Sequence, residues 1–93
     1  MKSIIQDNKE CFMTGDTSNL HKHHIYFGAN RKVSEEYGFW CWLRWDCHIA
    51  NSPNPTPHND RQTDLNLKRY CQSLYEEKHS REEFIKLIGR SYI

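Results

Sequence analysis

The sequence predicts a small α+β domain, built from a two-stranded antiparallel hairpin and two C-terminal helices. Three observations carry this. The first half holds two short segments rich in β-forming residues, and the stretch after residue 60 switches to helical periodicity. The 93-residue length allows one core and no more, so residues 1–93 are read as one domain with residues 1–10 as a short N-terminal arm.

The elements follow in order. Cys11-Phe12-Met13-Thr14-Gly15 is a tight turn, and Leu20-His21-Lys22-His23-His24-Ile25-Tyr26-Phe27 reads as the first strand. Ser34 to Gly38 is a single helical turn with Ser as N-cap and Gly as terminator. Phe39 to Trp45 is rich in aromatic residues and is the second strand. Alternation puts Trp40 and Trp42 on one face of it, and two of the three tryptophans are expected in the core. The 3 prolines of the chain alternate between Asn51 and Pro57 and make that segment an irregular, partly stiff loop. From about Asp60 a helix presents Leu67, Tyr70, Cys71, Leu74 and Tyr75 on one face. Ser80-Arg81-Glu82-Glu83 is a capping box that opens a second helix, with Phe84, Ile85, Leu87 and Ile88 inside it and Gly89 as its stop.

Composition narrows the function. With 13 basic against 12 acidic residues, the net charge of +1 offers no global attraction for nucleic acid, so any DNA contact needs a local basic patch. Mean hydropathy is −0.94 and no stretch approaches the ~18 apolar residues of a membrane span, so no membrane role is expected. Met1 to Asp7 lacks the apolar centre of a secretory leader, which points to the cytoplasm. There the 4 cysteines serve as metal ligands or buried thiols rather than disulfides.

Leu, Ile, Val and Phe make up only about a fifth of the chain, a thin core that a metal would help to hold. His21, His23 and His24 fall on the first strand, and His48 and His58 flank the proline-rich loop. His21 and His23 share one strand face, so these residues form a metal or acid–base constellation, with a merely polar strand as the alternative. The cysteines are paired differently from a zinc knuckle. Cys11 is followed three residues on by Thr14, and Cys47 is preceded by Arg44, where a knuckle places a second sulfur in each case. Cys41 and Cys71 read as small buried hydrophobes. A three-ligand zinc site from Cys11, Cys47 and His48 stays open.

From CFMTG at 11–15 through LHKHHIYFGANRKVSEEYG at 20–38, LRWDCH at 43–48 and PHND at 57–60 to the end REEFIKLIGRSYI at 81–93, the chain resembles the small phage and prophage proteins of the HNH endonuclease type. The resemblance implies a ββα-metal unit with a degenerate zinc knuckle, since family members carry Cys where Thr14 and Arg44 stand. It implies that His23 and His58 bind a catalytic divalent cation, magnesium or manganese, and that His24 is the general base. It makes Asn51 the nearest match to the central Asn, and it implies phosphate contacts from Lys22, Arg31, Lys32 and Arg44. The adjacent pair His23 and His24 reaches one site only where the strand ends or distorts.

Two functions follow. One is a phage-encoded, metal-dependent DNA endonuclease. The other is a catalytically degenerate scaffold that binds a host or phage protein, such as an inhibitor of a host defence nuclease of the CRISPR type. The missing knuckle ligands and an exposed Trp as interface anchor favour the second.

Overall fold

In the computed structural model, which describes residues 1–93, one antiparallel strand pair and three α-helices form an α+β arrangement. Strand β1 spans Leu20–His24 and β2 spans Trp40–Arg44, with His23 opposite Cys41 and His24 opposite Trp40. Helix α1 (Arg31–Tyr37) connects them, and α2 (Arg61–Tyr75) and α3 (Arg81–Ile88) complete the chain. No helix is long and apolar enough to cross a membrane.

The strands are shorter than their β-forming runs. Beyond His24 the pairing continues in a single bond, Ile25 N–H to Phe39 O at 2.9 Å, and β1 ends there. Strand period sorts β2 by face: Cys41 and Leu43 point into the core, while Trp40, Trp42 and Arg44 are half-buried on the outside. The expectation of two core tryptophans is therefore corrected. Trp40 lies under the Lys22 ammonium at 4.1 Å and Trp42 under that of Lys9 at 4.5 Å, and Trp45 is exposed. The core uses smaller rings. Tyr26 packs edge-on against Phe39 at 5.5 Å and Phe84 at 5.4 Å, and Phe39 meets Tyr75 at 5.5 Å. The Tyr26 hydroxyl donates to the Lys68 carbonyl at 2.7 Å and so ties the end of β1 to α2.

Helix α1 is a second correction. The expected single turn is a helix of seven residues, and Ser34 lies inside it rather than capping it. Its hydroxyl donates to Tyr26 O at 2.7 Å and accepts from Tyr26 N–H, a tertiary link that local capping chemistry does not reveal. The ends of α3 are as expected: the Ser80/Glu83 box closes in both directions and Gly89 stops the helix in the left-handed region, while α2 is capped by Asp60, which accepts from Thr63 N–H.

The N-terminal arm covers the free edge of β2. Phe12 N–H donates to Trp42 O at 2.8 Å, Trp42 N–H donates to the Gln6 side chain at 2.8 Å, and Ile4 N–H donates to Gly38 O at 2.9 Å. Capping an edge strand in this way removes a template for wrong pairing. Gly38 is where arm and helix meet. Its φ is +75°, and a Cβ there would collide with the Lys2 carbonyl oxygen. Gly38→Ala should lose about 1–3 kcal/mol from conformation alone and more from displacing the arm. Gly15→Ala, at a similar φ but in open space, should lose the first part only. Urea denaturation of the two variants measures the difference, and equal losses would show that the arm contact contributes nothing.

Candidate metal and acid–base site

Five histidines and one helix glutamate gather around β1 and its C-terminal end. His21 and His23 project from the same strand face, and both rings reach His48, with centroids at 5.3 and 5.2 Å. His48 follows the short 3₁₀ turn Trp45–Cys47 that ends β2. The loop after it returns His58 to the same place because its carbonyls are gathered by one side chain. Asn59 Nδ2 donates to Asn54 O at 3.0 Å and Ala50 O at 3.2 Å, while its Oδ1 accepts from Thr56 N–H at 2.8 Å. The buried Thr56 hydroxyl donates to Ile49 O at 3.1 Å. His58 consequently packs 4.9 Å from His48 and 5.2 Å from His23, ring to ring.

One ring nitrogen from each of His23, His48 and His58 lies within 4.8 Å of the other two. His48 Nε2 and His58 Nε2 are 3.3 Å apart, and His48 Nδ1 is 3.1 Å from His21 Nδ1. His23 is 1% exposed, and its Nε2 has no hydrogen-bond partner. Burial, with the charges of His48, His58, His24 and Lys68 behind it, pushes His23 down to about 3. Burial and then His58, His21 and His24 push His48 down to about 4. Both imidazoles are thus neutral near pH 7, the form that ligates a metal.

These depressions bear on stability. The unfolded chain takes up protons near the ordinary value of 6.5 while the folded cluster resists them. Stability is therefore full above about pH 6.5 and falls as the pH drops towards 4. Urea midpoints should already decline between roughly pH 6.5 and 5, before the carboxylates titrate. A flat profile over that interval would contradict neutral burial of the pair.

His24 lines the same cavity of about 270 Å³ as Lys22, His23, Phe27, Arg31, His48 and His58. Strand parity puts His24 on the face of Lys22, and both reach Glu35, while the cavity at the end of β1 is lined from both faces of the strand. His24 Nε2 lies 3.1 Å from Glu35 Oε1 on α1. Hydrogen bonding from His24 and then from Lys22 holds the Glu35 carboxyl below its ordinary value despite the opposing desolvation. Spacing alone does not pair the two, since Glu35 lies eleven residues away on an element expected to be one turn long.

The other expected site residues divide. Arg31 lines the cavity, Lys22 is bound to Glu35 at 3.2 Å, and Lys32 is exposed outside it. Arg44 is not free for phosphate. Its Nη1 donates to Asp16 at 2.6 Å and its Nη2 to Asp46 at 2.6 Å, and its guanidinium holds the Asp46 carboxyl below the usual range. Asn51, the nearest match to the central Asn, is exposed and lies outside the cavity lining, and the loop backbone is bonded by Asn59 instead.

The zinc trio is not assembled. Cys11 and Cys47 adjoin, but both nitrogens of His48 face other histidines. Cys11 sits in a knuckle-like turn. Burial alone would raise its thiol, yet bonds from the Thr14 hydroxyl and the amides of Arg44, Thr14 and Met13 leave it below the ordinary value. Around these two sulfurs stand a neutral hydroxyl and a guanidinium already bridged to two carboxylates, and neither replaces a thiolate. The donor set does not fit a structural zinc.

Comparison with protein-family models, curated proteins and solved structures finds no match.

Proposed function

We propose that this chain is an HNH-type, divalent-metal-dependent DNA endonuclease in which β1, β2 and α2 form the ββα-metal unit. The observation that carries this reading is the orphaned His23 Nε2 inside a group of three converging imidazoles. A buried ring nitrogen without a partner is costly unless something binds it. Two nitrogens sharing a tetrahedral cation at about 2.1 Å lie about 3.4 Å apart, close to the 3.3 Å between His48 and His58.

His23, His48 and His58 would hold the cation. When bound, it would supply positive charge against the negative charge that develops on the phosphoryl and leaving oxygens. Three imidazoles favour a first-row transition ion over magnesium, whose preference is for oxygen ligands. If His48 ligates through Nε2, its Nδ1 carries the proton and donates to His21, which then fixes the ring from behind.

Proton transfer falls to His24. A carboxylate only accepts, so neutral His24 keeps its proton on Nε2 towards Glu35 and leaves the Nδ1 lone pair free. That nitrogen takes the proton of a water attacking phosphorus, and the bond to the leaving oxygen breaks as the new P–O bond forms. Arg31 at the cavity rim is placed to meet a phosphate oxygen.

Nicking of supercoiled plasmid with manganese, zinc or magnesium tests this. Wild type should nick with at least one of these ions and stop with EDTA, and His24→Ala should lose about 10²- to 10⁴-fold. Nicking that His24→Ala leaves untouched would remove the assignment. The degenerate-scaffold reading draws on the locked Arg44 and on Trp45, which is 45% exposed, and it predicts no nicking with any ion.

A further inference from the structure

Phe27 is the one large apolar side chain that lines the histidine cavity, and it is 40% exposed. It belongs neither to the core nor to the side chains packed on it. In a domain with so little apolar material, a phenylalanine outside the core forgoes part of its burial, and it does so beside the histidines.

The ring is also held in place. The Lys68 ammonium stands 4.3 Å from its centroid, and Lys68 is itself fixed by Asp64 at 2.8 Å. His58 abuts it at 5.0 Å and His23 at 6.1 Å, both tilted. An aromatic ring pinned by a cation, part open to solvent, beside converging imidazoles and near Arg31 and Lys22, matches the chemistry of a flat aromatic base attached to a phosphate. Base-paired DNA hides its base faces, so a ring at the cavity rim suits a strand whose base is unstacked.

We infer that Phe27 is a stacking platform for the nucleobase next to the phosphate in the histidine cavity, so that single-stranded or locally opened nucleic acid is the preferred substrate. This rests on the endonuclease reading for the identity of the reacting phosphate, but base stacking needs no catalysis and is measured without it.

The probes are two single-stranded DNA 12-mers in EDTA, one with all bases and one fully abasic, with 2-aminopurine as a central base in the first. Wild type should bind the base-containing strand about 5- to 150-fold more tightly, the range of base–aromatic stacking, and should quench the 2-aminopurine. Phe27→Leu should shrink that gap to about twofold or less and lose the quenching, while Phe27→Trp should keep both. Thermal melting checks that each variant is folded. A gap that persists in folded Phe27→Leu, or wild type that does not distinguish the strands, overturns the inference. Plasmid nicking by the same preparations reports separately on catalysis. Phe27-dependent quenching without nicking would retain the platform and discard the endonuclease.

Discussion

His58→Ala should lower divalent-cation affinity by at least about 100-fold, and strand cleavage should fall with it while the fold persists. Losing a partner that merely orients a ligand already costs about 10- to 100-fold, and in the proposed site His58 would be a ligand itself, as one of three residues that could hold an ion. It is the informative member of the three because it is exposed. Truncating it opens no cavity and leaves the Asn59 and Thr56 bonds of the loop in place. His23, by contrast, is buried between the strand and the loop, and its removal would confuse ligand loss with unfolding. Calorimetric titration with zinc and with manganese measures the affinity, and circular dichroism confirms the fold. Unchanged affinity in a folded His58→Ala protein would show that the three imidazoles do not share an ion.

Phe39→Ala should cost about 3–5 kcal/mol, the range for emptying a buried aromatic site. The side chain has no exposed surface and touches Tyr26, Tyr37, Tyr75 and Phe84, so four aromatic neighbours lose a partner together. Against a total of about 5–15 kcal/mol this is a large share, and the melting temperature should drop by about 12 °C or more. Urea and thermal unfolding check it. A loss below about 1 kcal/mol would place the core elsewhere.

The parts of the fold written in local chemistry were legible in the sequence. The Ser80/Glu83 box, the Gly89 stop and the alternation of β2 each depend on residues a few positions apart. What escaped depends on distant partners. Ser34 looks like a cap until Tyr26 is seen beside it, and the outward tryptophans are covered by lysines from another strand and from the arm. The site divides in the same way. His21 and His23 share a face by parity, which their common contact with His48 reflects. Of the two groupings open to His48, with the histidines or with Cys11 and Cys47, its ring adopts the first. The resemblance points to Asn51, whereas the bonding that orders that loop belongs to Asn59. Nor did spacing reveal that Arg44, read as a phosphate ligand, is held by Asp16 and Asp46.

The central claim is that His23, His48 and His58 bind one cation together. Long-range ¹H–¹⁵N correlation of the imidazoles during zinc titration tests it most directly, because each ring nitrogen reports its own protonation and ligation. The resonances of His23, His48 and His58 should move together and saturate at one zinc per chain, with His79 unaffected. No change in these three rings, or zinc taken up at Cys11 and Cys47 instead, would contradict it.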